Sequence, residues 1–291
     1  MLTTGEQQTA QAPRPTGGVT SSPRASAPLS ALILALTTLL GAWAFLYPFF
    51  VPPSGGSSEA ASHAQDAPLI FLLVTGLCLV AIVADLETRS MDSKMVALLG
   101  VLVATNSLLR PLQGPGGFSG FQVLPILCGY VFGGTFGFLL GSLSVLVSSL
   151  FTGGVGPWMP FQMLAIGWVG LMSSALPRRF MRGVLGGRAE RWLLAAWGAV
   201  MGFVFGAIMN LWSWPFIAAD ATTLPAGQVW EPGAGLPAAL GRYAAFYLAT
   251  SLPWDTWMAV GNALLLGFLG PPVLRVMRRF KQRFFFEVRA T

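Results

Sequence analysis

Apolar runs separated by short polar connections set the pattern of this chain. They cover about 29–50, 68–84, 95–109, 121–132, 135–151, 159–176, 192–217 and 241–269. A bilayer's hydrocarbon core is ~30 Å thick, which ~20 helical residues cross. The pattern therefore predicts an all-α polytopic membrane bundle of about eight transmembrane helices. The fourth run is the shortest and holds Pro125. At ~1.5 Å per residue it reaches only ~18 Å. It is expected either to extend into its flanks or to be partly re-entrant inside a protein cavity.

Composition agrees with lipid as the solvent. Of 291 residues, 54% are hydrophobic and only 10% charged, against about 25% charged in a soluble domain. The net charge of +6 does not indicate nucleic acid, because the basic residues cluster beside the apolar runs, as the positive-inside rule requires. With a cytoplasmic N-terminus and eight crossings, only Arg110 and Arg242 of the 17 basic residues fall outside. One span more or fewer would scramble that sorting. The expected location is the cell (plasma) membrane, with both termini cytoplasmic. No cleavable signal peptide is visible. Residues 1–28, rich in Thr, Gln, Pro, Ser and Gly, read as a disordered cytoplasmic tail. Residues 29–93 then carry two helices, 94–274 a six-helix core and 275–291 a basic tail.

The connections on the outer side, 110–120, 152–158 and 218–240, are rich in Gly, Pro and Trp. Such loops on a rigid scaffold are where binding is usually placed. Glycines recur every four residues at Gly133, Gly137 and Gly141 and at Gly198, Gly202 and Gly206, followed by Asn210. In lipid, small residues at this spacing let helix backbones approach closely. Asp255 falls ~18 Å below the outer end of the last run by helix rise. A carboxylate at that depth faces a cavity or a partner, so it either locks helices together or contacts a ligand. Ser251, Met258 and Asn262 share its helical face. Arg110 and Arg242 either anchor lipid headgroups or meet an anionic group of a ligand. Trp158, Trp212 and Trp214 sit near the outer interface, with Gln162 one turn after Trp158. They suit a membrane belt or the capping of a flat organic ligand.

Several chemistries lack their residues. There is no phosphate-binding G-x-x-x-x-G-K-[ST] loop, no HExxH, no GxSxG and no paired-aspartate motif. Cys78 and Cys128 lie inside apolar runs without CxxC or histidine neighbours, and His63 stands alone. No catalytic residue, cofactor or metal site is expected.

The stretches Leu124-Pro-Ile-Leu-Cys-Gly-Tyr-Val-Phe-Gly-Gly134, Phe136-Gly-Phe-Leu-Leu-Gly-Ser142 and Thr152-Gly-Gly-Val-Gly-Pro-Trp-Met-Pro-Phe-Gln162 resemble the substrate-binding S component of energy-coupling factor (ECF) transporters. Asn210-Leu-Trp-Ser-Trp-Pro-Phe216 and Ser251-Leu-Pro-Trp-Asp255 resemble an actinobacterial branch of that family. The resemblance covers about 94–283 and is most specific over 121–170. It implies a six-helix core preceded by two additional helices, an outward-opening pocket for a vitamin-like small molecule, and three partners: a scaffold transmembrane subunit and two cytoplasmic ATPases. It further implies that Trp158, Trp212 and Trp214 stack on or cap the ligand. Gln162, Asn210, Asp255 and Asn262 would hydrogen-bond it. Arg110 or Arg242 would meet an acidic or phosphate group, and Thr152, Gly153, Gly154 and the residues to Gly156 would form a mobile lid. The family docks its scaffold through an Ala-xxx-Ala pair on the first core helix. Here that helix offers Gly100 and Ala104 with Ala97 a turn earlier, while Ala31 and Ala35 lie on an additional helix. A cobalamin-type compound is the substrate suggested by family analogy. Two rival readings are a membrane enzyme acting on lipid or isoprenoid, centred on Asp255, and a non-catalytic assembly subunit.

Overall fold

The computed structural model describes residues 27–47, 66–87, 91, 93–177, 186–217, 224–231 and 235–284. The amino-terminal tail, His63, Arg89, Arg178, Arg179 and Arg182 lie outside the described residues. Among the described residues ten α-helices follow in order: α1 (Ala27–Leu46), α2 (Ala67–Glu87), α3 (Ser93–Leu109), α4 (Val123–Phe132), α5 (Gly134–Thr152), α6 (Met159–Ser173), α7 (Gly186–Ile217), α8 (Leu236–Thr250), α9 (Leu252–Phe268) and α10 (Gly270–Phe284). Among the described residues there is no β-strand, only an isolated bridge between Gln113 and Ser119.

The all-helical expectation holds, and the apolar helices are compatible with a multi-pass membrane protein. Their lengths do not establish eight crossings. Ala67–Ala84, Gly134–Thr152 and Gly187–Pro215 are long and apolar enough to span, and α9 with α10 makes a fourth span if the pair, bent by 60°, is counted as one. Helices α3, α4 and α6 have 17, 10 and 15 residues, short of the ~20 that a full hydrocarbon core asks for.

The last apolar run is not one helix. It breaks at Ser251 into α8 and α9, because Pro253 stands in the first turn of α9 and lacks the N–H a continuing helix would need. Asp255 therefore occupies the first turn of α9, rather than the middle of a long helix as its sequence position implied. Within the basic segment expected over 275–291, residues up to 284 belong to α10. On α10, Leu274 and Met277 are buried, while Arg275, Arg278 and Arg279 face out. Arg278 Nη1 donates to Glu190 Oε2 at 3.1 Å, Tyr130 Oη donates to Glu190 Oε1 at 2.7 Å, and Lys281 Nζ donates to the Val131 carbonyl. Glu190 thereby ties the start of α7 to the end of α4 and to α10.

Apart from Gly133, where nothing approaches within 4 Å of an added Cβ, both glycine stripes lie on packed faces. Helices α5 and α6 run antiparallel. A Cβ added at Gly137 would lie 2.7 Å from the Gly170 carbonyl oxygen and 2.7 Å from Gly129 Cα, and one at Gly141 would meet the Ile166 carbonyl. These backbones touch because no side chain intervenes. Helices α7 and α9 repeat the arrangement, with Gly198 against Asn262 and Leu266, Gly202 against Ala259 and Gly206 against the Asp255 carboxyl group. Helix α3 lays Met95, Leu99, Val103, Asn106 and Ser107 inward, and Ser107 Oγ donates to the Ser144 carbonyl of α5 at 3.1 Å. Helix α1 packs on α6, where Phe45 meets Phe161 edge-on at 5.0 Å. The outward faces of α1 and α2 carry Leu32, Leu39, Trp43, Leu69, Leu72 and Leu79, each more than half exposed. In water such a surface would be an aggregation liability.

Candidate functional site

Between α3 and α4 the chain makes a strap, residues 110–122, across the end of the bundle that carries Arg110. The Gly114 N–H donates to the Phe118 carbonyl at 2.8 Å and the Gly117 N–H to the Gly114 carbonyl at 3.1 Å, so the strap closes on itself. Gly116 and Gly117 have φ of 68° and 77°, the left-handed region that glycine enters without strain. Two aromatic contacts fix the strap to α9. The Phe118 ring covers Gly261, and the Trp257 side chain covers Gly116. A Gly261→Val substitution is expected to evict Phe118 and loosen the strap. Limited proteolysis should then cut 110–122 faster than in the parent chain, with helix content by circular dichroism unchanged.

Under the strap lies a cavity of about 230 Å³. The strap and the turn after it contribute Arg110, Gln113, Gly117, Ser119, Phe121 and Gln122. Helices α5, α6, α7 and α9 contribute Val145, Gln162, Ile166, Phe205 and Met258. Arg110 is the one charged residue in this lining. Its Nη1 donates to Ser148 Oγ and Ser149 Oγ, both at 2.9 Å, and its Nη2 to Gln162 Oε1 at 2.5 Å. The guanidinium carbon stands 5.6 Å from the centre of the Phe121 ring, within cation–π range. No carboxylate among the described residues pairs with it. An arginine held only by neutral groups keeps its charge uncompensated. A wider hollow of about 520 Å³ on the other side of the strap, lined by Leu109, Leu112, Phe118, Val123, Leu265 and neighbours, holds no charged residue.

Gln122 is 1% exposed and Asn262 is fully buried. Asn262 Nδ2 donates to Gln122 Oε1 at 2.7 Å and to the Gly198 carbonyl at 3.2 Å. This pair stitches the start of α4 to α9 and α7, directly beside the cavity.

No protein-family model, curated protein or solved structure matches this chain. What the site can do rests on its own residues.

The residues singled out from the sequence divide into three groups. Arg110 and Gln162 meet in the cavity, and Asn262 reaches it through Gln122. Asn210, Trp214, Arg242 and Asp255 belong to a separate brace around α8, and none of them lines the cavity. In that brace Trp214 Nε1 donates to the Gln228 carbonyl at 2.9 Å, with Tyr243 at 5.4 Å and Phe246 at 6.5 Å between ring centres. Arg242 pairs with Glu231 at 2.7 Å. Asn210 Nδ2 donates to Thr250 Oγ1 at 3.3 Å, and Ser251 Oγ donates to Asp255 Oδ2 at 2.8 Å. Trp212 is buried against Phe161, 6.1 Å between centres. The third group is the turn 152–158. Gly153, with φ of 65°, caps α5 in the left-handed conformation, and the Gly154 N–H reaches back to the Ser149 carbonyl at 3.1 Å. Thr152 Oγ1 donates to the Ser148 carbonyl at 3.0 Å, and Trp158 folds over its own turn, donating to the Gly154 carbonyl at 3.2 Å.

Ala97, Gly100 and Ala104 lie on the exposed side of α3, where nothing approaches within 4 Å of a Cβ built at Gly100. Cys78 and Cys128 are buried and unpaired as disulfides. Among the described residues no three His, Cys, Asp or Glu side chains form a metal-holding group. Sequence reading overlooked Gln122, Ser119, Phe121, Ser148, Ser149 and Phe205. For Gln122 there was a signal, a lone amide at the edge of an apolar run.

Proposed function

We propose that this protein captures a small vitamin-like molecule from outside the cell and passes it inward as the substrate-specific subunit of an ECF-type importer. The observation that carries this reading is the cavity beneath the strap, where a cation without an acidic partner and the buried Gln122 amide meet apolar side chains. The lining is polar and apolar in about equal parts, more polar than the usual small-molecule site, and suits a ligand with one apolar and one polar end. The resemblance of 121–170 to S components supports it. So does the sorting of basic residues: on this reading the Arg110 end faces out, the Glu190 end and both termini face in, and the chain lies in the cell membrane. On this reading the short helices complete their crossings with help from their flanks, for a total of eight. The exposed small-residue face of α3 meets the scaffold subunit, two cytoplasmic ATPases supply the energy, and this chain performs no chemistry.

A deletion strain grown in defined medium tests the proposal. Mass spectrometry of the spent medium should show one compound left unconsumed, and the full-length gene should restore its depletion. Identical depletion by deletion and parent strains, compound by compound, would contradict an import role.

A further inference from the structure

We propose that the Arg110 cavity selects a compact organic monocarboxylate, whose carboxylate is shared between the Arg110 guanidinium and the Gln122 side-chain amide. The inference deepens the importer reading and rests on it for the direction of transport, while binding itself stands or falls separately.

The first observation is an orphaned donor. A backbone carbonyl can only accept, so the contact to Gly198 assigns Asn262 Nδ2 as the nitrogen at that end of the amide. Because Asn262 Nδ2 also faces Gln122, the oxygen of Gln122 must be the atom that faces it. Gln122 Nε2 is thereby left, buried, without an acceptor among the described residues. A buried donor left unmade is costly, and native proteins keep few of them. Gln122 lines the cavity, and its Nε2, almost closed off from that space, would be satisfied by an acceptor bound there once the amide turns toward it.

The second observation is independent of the first. Arg110 lines the same cavity and has only neutral partners, the Ser148 and Ser149 hydroxyls, the Val145 carbonyl and Gln162. Asn262 Oδ1, a buried acceptor outside the cavity lining, is unmet as well; within the lining, the uncompensated Arg110 cation and the unmet Gln122 donor together call for an anionic acceptor.

The remaining walls narrow the class. Phe121, Val145, Ile166, Phe205 and Met258 are apolar, so a bare inorganic anion would leave them unfilled. A phosphate ester brings about −1.5 to −2 charges to a lining with a single cation, leaving excess charge in a half-buried site. A carboxylate brings one. The volume of about 230 Å³ lies below the ~300–1,000 Å³ of sites for drug-sized ligands, which points to a body of roughly one ring.

The test uses the full-length protein in lipid nanodiscs, titrated with benzoate, phenylacetate and nicotinate, with their three amides, and with phenyl phosphate. Tryptophan fluorescence and the thermal midpoint report binding. At least one acid is expected to bind and stabilise, while its amide and phenyl phosphate bind at least about tenfold more weakly. Gln122→Leu should weaken the acid about tenfold, and Arg242→Met, whose arginine is paired with Glu231, should leave its binding unchanged. Amides binding as well as acids, tighter phenyl phosphate, an undiminished acid affinity in Gln122→Leu, or no acid binding up to millimolar concentration would each overturn the proposal. If a neutral compound binds and the deletion strain stops consuming it, import survives and the carboxylate assignment fails. If acids bind as stated and the deletion strain consumes everything normally, the site stands and import fails.

Discussion

Arg110→Met is expected to lower uptake through this protein by at least about 30-fold, with the folded protein recovered in normal yield. Truncating one member of a buried, hydrogen-bonded charge pair costs about 2–5 kcal/mol of binding, and ~1.4 kcal/mol is a factor of ten. The pair meant here is Arg110 with the ligand's anionic group. The empty protein loses less. Ser148, Ser149 and Gln162 each lose a donor, a cost offset by removing a cation that has no counter-ion. Methionine keeps the unbranched stem and fills similar space. Transport assays at several substrate concentrations, normalised to protein in the membrane, should show the half-saturating concentration rising. Unchanged uptake would remove Arg110 from the site.

Gly137→Ala is expected to destabilise the helix bundle strongly. The new Cβ would meet the Gly170 carbonyl oxygen and Gly129 Cα, both at 2.7 Å. Each obstacle is backbone, so no flexible side chain can yield, and α5 must part from α4 and α6. In lipid, helices associate largely through such close packing, and overpacking costs about 1–3 kcal/mol or more. Thermal unfolding in detergent should show a clearly lowered midpoint and early aggregation. Gly100→Ala is the matched control, because nothing lies within 4 Å of the added carbon and its midpoint should not move. Equal midpoints for the two variants would show that the glycine stripe does not hold the bundle together.

The helices were legible because apolar runs this long have few alternatives in lipid. The glycine stripes told which faces pack, since spacing by four identifies a helix face and small size identifies a close approach. Two features misled. The run 241–269 is continuous in hydropathy, and hydropathy does not register a break. Pro253 marked the break at Ser251, and it moved Asp255 from mid-helix to a first turn where Ser251 donates to it. The aromatic and basic residues in and beside the Gly- and Trp-rich connections likewise gave no clue to their partners. Trp214 and Arg242 are both spent on the 224–231 segment.

The cavity was legible only in part. Arg110 and Gln162 stood out as polar groups near the ends of apolar runs, but their meeting at 2.5 Å depends on how the strap crosses α5 and α6. Gln122 lies beside Val123 at the edge of an apolar run, and its importance arises from Asn262, 140 residues away in sequence. Long-range pairs of this kind leave no periodicity to read.

Sidedness is the claim on which the rest depends, and labelling with a membrane-impermeant maleimide tests it most directly. The native Cys78 and Cys128 are 1% and 0% exposed, so the background should be low. Gln113 on the strap and Arg188 at the start of α7 are both exposed and can each be replaced by cysteine. Gln113→Cys should label in intact cells, and Arg188→Cys only after permeabilisation. Labelling of Arg188→Cys in intact cells with Gln113→Cys protected would put the cavity on the cytoplasmic side and contradict capture from outside.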